Sequence, residues 1–186
     1  MRNRLEVRDG FVVIMAALWF VDTGGVLPVF LLAAAVHELG HAAALYALGG
    51  RLQRLTLTAC GAVMRCRLPE GSYARAAVCL AGPAASFLLA ALGMQLSWYR
   101  TAGASVLLGL FNLLPMPPLD GGMALCHALD GRLPRLRGAV ALLSVCLLFA
   151  AGMALFAGGG GVWLLLVSVL TVLQTAKKLA KGRLAV

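Results

Sequence analysis

Two histidines and a glutamate are the residues of this chain whose types and spacing could do chemistry. They lie together in Val36-His37-Glu38-Leu39-Gly40-His41, which is an HExxH sequence. On a helix, residues four apart differ by about 40° and about 6 Å of rise, so both imidazoles can reach one ion. Glu38 then projects beside them, where the glutamate of such a motif acts as a general base on water bound to the ion.

Asp120 is the candidate for a third metal ligand. A catalytic zinc ion usually has three protein ligands and an open position for water, so one more must come from elsewhere in the chain. His41 and Asp120 lie about seven and nine residues before the predicted ends of their apolar segments, or roughly 10 and 14 Å deep. The prolines that precede Asp120 predict an unwound helix, which a membrane tolerates only where the backbone lines a cavity or is buried in protein.

The composition assigns these residues to a membrane protein. Hydrophobic residues make up 61% of the 186 and charged residues 12%, with a mean hydropathy of +0.91, whereas soluble domains carry about 25% charged residues. Ionisable groups inside a bilayer are costly unless they are paired or bind a metal, so Glu38 and Asp120 mark a functional site. The net charge of +9 is explained by basic cytoplasmic loops. We expect no nucleic-acid partner, because no basic stretch carries interleaved aromatics.

The apolar segments predict an all-α polytopic membrane protein, with a single domain over 1–186 and about six transmembrane helices. A spanning helix needs about 20 apolar residues. The predicted spans are 11–22, 26–48, 73–98, 102–129, 138–157 and 162–176. The first is short and also resembles a signal peptide. We favour an uncleaved span, because Asp22 and two glycines follow it in place of a small-residue cleavage site.

The distribution of charge predicts the orientation. With the N-terminus inside, 15 of the 16 Lys and Arg residues fall on cytoplasmic segments, and only Arg100 falls outside. This bias predicts an integral protein of the bacterial plasma membrane with both termini cytoplasmic. His127 lies near a predicted membrane edge and is interpreted as an interfacial histidine.

A short β-hairpin is predicted at the membrane surface between the second and third spans. Apolar residues alternate on both sides of Gly61 over 52–68, which is typical of two strands around a turn. Such a hairpin could present an edge to an extended substrate, as in strand addition.

The motifs together resemble the site-2 protease family of intramembrane zinc metalloproteases. The resemblance covers about 31–130 and rests on the HExxH and on Asn112-Leu113-Leu114-Pro115-Met116-Pro117-Pro118-Leu119-Asp120-Gly121-Gly122. It implies that His37, His41 and Asp120 bind zinc, that Glu38 is the catalytic base and that Asn112 binds or positions the substrate.

One position departs from the family pattern. The family often carries Gly-Pro-x-x-Asn on the third span, and here Gly82-Pro83-Ala84-Ala85-Ser86 has serine at the last place. Ser86 keeps a hydroxyl but has no carboxamide, so it either binds substrate or only packs between helices as a small residue. The chain is most similar to the compact branch typified by the stage IV sporulation protease, which implies a membrane-tethered substrate such as a pro-sigma factor.

The sequence therefore predicts a zinc metalloendopeptidase with Zn2+ as cofactor, favoured over iron by two histidines and a carboxylate. The expected partners are a transmembrane or membrane-associated protein substrate and the lipid bilayer, and a homo-oligomer or a regulatory membrane partner is left open. One alternative is a catalytically inactive zinc-binding scaffold, although such a site has no need of Glu38. Another is a metal transporter, which would need a path of polar residues where the spans offer chiefly Gln95 and Gln174.

Overall fold

The computed structural model describes residues 5–58, 61–115 and 119–129, together with Cys146 and Met153. The elements in chain order are β1 (Leu5–Val7), α1 (Asp9–Val21), α2 (Val26–Ala47), β2 (Arg51–Thr58), β3 (Gly61–Arg67), α3 (Ser72–Gln95), α4 (Tyr99–Asn112) and α5 (Asp120–Leu129). Apart from Cys146 and Met153, the predicted fifth and sixth spans at 138–157 and 162–176 lie outside the described residues.

Two helices are long and apolar enough to cross a membrane, judged by length and composition. They are α2 with 22 residues and α3 with 24, and they correspond to the second and third predicted spans. Helix α1 has 13 residues, which is short of the roughly 20 that a span needs. The described part of the chain therefore does not confirm six spans.

The segment predicted as one span broken by prolines, 102–129, is divided in the structure. This stretch forms two separate helices, α4 with 14 residues and α5 with 10. The described residues between Asn112 and Asp120 are not helical. Pro115 lies in this gap, and proline disrupts a helix because it has no N–H to donate and its ring clashes with the preceding turn. The break expected at the prolines is thus confirmed, and Asp120 begins a new helix.

A three-stranded sheet accompanies the helices, so the prediction of an all-α chain with a lone hairpin is incomplete. Strands β2 and β3 form the predicted antiparallel hairpin, with Arg51 opposite Arg67. Strand β1 was missed, and it pairs parallel to β2 with Glu6 opposite Thr56. Three residues are too few for a readable alternation. Strand β2 is the central strand of the sheet, and an ion pair of 3.0 Å from Arg54 to Glu6 links it to β1.

Asp22 fixes the start of α2. Its carboxylate accepts hydrogen bonds of 2.9 Å from the backbone N–H groups of Val26 and Leu27. The Leu27 N–H, followed by that of Val26, lowers the pKa of this carboxyl from its ordinary value. These N–H groups have no partner within the helix, so the side chain supplies the missing acceptors.

Small residues let the helices pack closely. Helices α2 and α3 meet at Gly40, where an added Cβ would lie 2.6 Å from the carbonyl oxygen of Ala81 and 2.6 Å from the Cβ of Ala85. Close approach through small residues is typical of helix packing in membranes. The buried apolar residues are mostly alanine: Ala33, Leu45, Ala76, Val78, Ala90, Ala102 and Ala124. This packing brings the HExxH segment of α2 directly against α3.

Candidate active site

The three predicted metal ligands converge in the structure. His37 and His41 lie one turn apart on α2, and Asp120 is the first residue of α5. The Oδ2 atom of Asp120 is 2.9 Å from Nε2 of His37 and 3.2 Å from Nε2 of His41. The two Nε2 atoms are 3.2 Å apart. The two Nε2 atoms and the Asp120 carboxylate oxygen, from segments far apart in the sequence, therefore lie close enough together to bind one ion.

This arrangement fits a zinc ion. Tetrahedral zinc with ligand bonds of about 2.0–2.1 Å holds its ligand atoms about 3.3 Å apart. The distances of 2.9–3.2 Å need to open by only a few tenths of an ångström. Two imidazole nitrogens and a carboxylate oxygen are also a donor set that zinc takes in catalytic sites. Within the described residues, this is the one group of three His, Cys, Asp or Glu side chains that could hold an ion.

Gly82 on α3 leaves space beside the converging atoms. An added Cβ at this position would overlap Nε2 of His41 and lie 2.8 Å from Nε2 of His37. Any other residue would therefore put carbon against the atoms that would bind the metal. Glycine at this point of α3 is what lets the helix lie so close to the histidines.

Helix α3 also contacts the second nitrogen of each histidine. Nδ1 of His41 donates to the carbonyl oxygen of Val78 at 2.8 Å. A carbonyl only accepts, so the proton is on Nδ1 and the lone pair of Nε2 is available to a metal. Nδ1 of His37 lies 2.9 Å from Oγ of Ser86.

Close contact between the start of α5 and the residues that follow α4 helps to position Asp120. A Cβ at Gly121 would overlap the carbonyl oxygen of Leu113, which follows the last residue of α4. The glycine therefore lets the first turn of α5 lie against the end of α4. An acidic residue is also favoured in the first turn of a helix, where the dipole presents its positive end.

A cavity of about 600 Å³ opens beside the three ligands. Glu38 and Asn112 both line it; the family resemblance implies Glu38 as the base and Asn112 as a substrate-binding residue. The amide nitrogen of Asn112 donates to the carbonyl oxygen of Leu108 at 3.0 Å, which ties the carboxamide to α4. Ser86 does not line this cavity, since its side chain is fully buried behind His37.

The hairpin forms one wall of the cavity. Met64 and Cys66 of β3 both line it, as alternate residues on one face of the strand. Burial raises the pKa of the Cys66 thiol, so the group faces the cavity in its neutral form. The β-hairpin predicted at the membrane surface is therefore part of the site.

His127 is a cavity residue that the sequence reasoning missed. The structure corrects its interpretation as an interfacial histidine, because the side chain is only 3% exposed and lines the same cavity as Glu38. It follows Asp120 by seven residues, or two helical turns, which puts both residues on one face of α5. That spacing was the available signal.

Comparisons with known proteins identify the family. The Peptidase M50B-like family matches residues 11–119, and Peptidase family M50 matches residues 89–153. The zinc metalloprotease Rip3 of two Mycobacterium tuberculosis strains is 34% identical over 179 aligned residues, covering 78% of this chain and 43% of the relative. The chain belongs to the M50 peptidases, the site-2 protease family.

A solved structure shares the fold. The site-2 protease from Methanocaldococcus jannaschii aligns with a TM-score of 0.65 and 21% identity, covering 90% of this chain and 86% of that one. The chain spans less than half the length of the curated relative, which it covers to 43%. The family and the two apolar helices indicate a membrane location.

Proposed function

We propose that this chain is an intramembrane zinc metalloprotease that hydrolyses a peptide bond in or near a transmembrane segment of a membrane-tethered regulator, such as a pro-sigma factor. One observation carries the proposal: His37, His41 and Asp120 converge beside a cavity that Glu38 also lines. Membership of the site-2 protease family supports it.

The residues divide the chemistry among them. His37, His41 and Asp120 would hold the zinc, which when bound lowers the pKa of a water ligand toward about 7 and polarises the scissile carbonyl. Glu38 takes the proton of the attacking water and passes it to the leaving amine. Because Glu38 is outside the ligand set, it keeps its carboxylate available for this transfer.

The substrate must be unwound locally before its peptide bond can react, because a transmembrane helix hides its backbone groups in its own hydrogen bonds. Asn112 lines the cavity and is the residue proposed to bind the unwound segment. The outer edge of β3 is the proposed site of strand addition. Strand β2 is covered by β1 and β3 on its two sides, and β3 supplies a wall of the cavity.

The protein is proposed to lie in the bacterial plasma membrane with both termini in the cytoplasm. This orientation puts the hairpin and its four arginines on the cytoplasmic side, in accordance with the positive-inside rule. The partners that follow are a transmembrane or membrane-associated protein substrate and the surrounding lipid.

The proposal is tested by comparing the wild type with Glu38→Gln. Both proteins are co-expressed with a panel of single-span and pro-sigma-like membrane substrates, and zinc is quantified in each after purification. We expect about one zinc per chain in both, since Glu38 is not a ligand. Cleavage should fall by about 10²–10⁴-fold in Glu38→Gln, because the base is lost.

Glu70→Gln is the matched control, since Glu70 is an exposed carboxylate outside the cavity. It should cleave at the wild-type rate. Zinc in the wild type and in Glu38→Gln without cleavage by either would favour the inactive scaffold. A wild type without zinc would contradict the metal site itself.

A further inference from the structure

Helix α3 presents one face to both histidines of the metal site. Val78, Gly82 and Ser86 are spaced four residues apart, so they form a row along α3. His37 is paired with Ser86 and His41 with Val78, which means that α2 and α3 run antiparallel here. Gly82 lies between the two contacts, against the Nε2 atoms.

The two hydrogen-bond partners on α3 differ in whether they depend on the identity of the residue that supplies them. The partner of His41 is a backbone carbonyl, which every residue at position 78 would supply. The partner of His37 is a side-chain hydroxyl, which depends on the identity of residue 86. For His37 to offer Nε2 to a metal, its proton must be on Nδ1, and the Ser86 hydroxyl is then the acceptor.

Ser86 has no surface that a substrate could reach. Its relative exposure is 0%, that of His37 is 4%, and Ser86 is absent from the cavity wall. The Oγ···Nδ1 distance of 2.9 Å is that of a well-formed hydrogen bond. The hydroxyl therefore acts on the imidazole, not on the cavity.

We propose that Ser86 is a positioning residue of the metal site, which fixes the tautomer and ring orientation of His37 by accepting the hydrogen bond from its Nδ1. This inference rests on the proposed function, and it gives Ser86 a role distinct from substrate binding. Hydrogen-bond partners of metal-binding histidines typically contribute about 10–100-fold to metal affinity. The serine at the last place of the third-span motif thus serves the zinc ligand.

The test measures zinc affinity directly, by competition with a chromogenic chelator on purified full-length protein in detergent. We expect Ser86→Ala to bind zinc about 10–100-fold more weakly than the wild type. The visible spectrum of the Co2+-substituted protein should change as well, because His37 is free to rotate. Ser86→Thr keeps the hydroxyl and should restore affinity to near the wild-type value.

Ser105→Ala is the matched control. Ser105 is a fully buried helical serine on α4 whose Oγ has no hydrogen-bond partner among the described residues. Removing its hydroxyl should leave both zinc affinity and the cobalt spectrum unchanged. Thermal unfolding of each variant separates a loss of folded protein from a loss of affinity.

Three results would overturn the inference: wild-type zinc affinity in Ser86→Ala, equal weakening in Ser86→Thr, or a raised KM for substrate with zinc affinity unchanged. The last would assign Ser86 to substrate binding. Zinc binding by the wild type without cleavage of any substrate would count against the proposed function alone. A wild type that binds no zinc would overturn both.

Discussion

At the scale of single residues, the site depends on a glycine that leaves space as well as on the side chains that would bind the metal. His37 and His41 are brought together by helical spacing alone, but the metal-binding atoms also need free volume. Gly82 provides it, because an added Cβ would overlap Nε2 of His41. The presence of glycine at this place in the third-span motif is therefore explained by its packing against the histidines, independently of substrate binding.

Gly82→Ala is expected to weaken zinc binding by at least about tenfold. The methyl group would push α3 away from the histidines, and overpacking of this kind typically costs about 1–3 kcal/mol. Such a shift also lengthens the hydrogen bonds from His37 and His41 to α3. Zinc competition on the purified variant is the measurement.

The control for this variant is Gly103→Ala on α4, where an added Cβ meets nothing within 4 Å. Alanine in place of glycine favours an exposed helix by about 1 kcal/mol, so this variant should be folded and bind zinc as the wild type does. Unchanged zinc affinity in Gly82→Ala would show that the helices can separate without cost to the site.

At the scale of secondary-structure elements, the hairpin has two faces with different chemistry. Residues directly opposite each other on paired strands share a face. Arg51 and Arg54 lie opposite Arg67 and Arg65, so four arginines share one face. Leu55 and Met64 are opposite each other on the other face, and Met64 lines the cavity. Met64 and Cys66 thus lie on the face of β3 opposite Arg65 and Arg67, and Val63 also lines the cavity.

The proposed strand addition at β3 is tested by placing proline in turn at positions 63–66. Successive N–H groups of a strand point to opposite sides, so alternate prolines remove only N–H groups on the outer edge. Those variants should stay folded and bind zinc, yet cleave a transmembrane substrate at least about tenfold more slowly. Wild-type cleavage by every folded, zinc-binding variant would rule out pairing at this edge.

At the scale of the whole molecule, the asymmetric distribution of positive charge predicts the orientation in the membrane. Glu70 and Ser97 are exposed residues just before and just after α3, which is long enough to span. Within this region, the basic residues cluster on the hairpin side, and Arg100 lies on the other side. The positive-inside rule therefore predicts that Glu70 is cytoplasmic and that Ser97 lies on the outer side.

Single cysteines test this orientation in a variant whose five native cysteines are replaced and which still binds zinc. A membrane-impermeant maleimide added to intact cells should label Ser97→Cys but not Glu70→Cys, and both after permeabilisation. Labelling of Glu70→Cys alone in intact cells would invert the proposed topology. Equal labelling of both would show that α3 does not span.

The sequence by itself determined the features that depend on neighbours a few residues apart. The HExxH spacing on α2, the two strands around Gly61 and the helix break at Pro115 are local, so periodicity and proline chemistry were enough to predict them. The depth of Asp120 and the family resemblance also indicated that it joins the two histidines, and the structure brings it to His37 across 83 residues. The tertiary structure alone decided that Ser86 contacts His37 across 49 residues and that β1 pairs with β2.

His127 shows the same limit, since its burial depends on how α5 packs and not on its distance from a predicted membrane edge. Such contacts follow from close packing between helices, which small residues such as Gly40 and Gly82 permit. A local sequence pattern carries the periodicity of one helix, but it does not specify which neighbour that helix will face.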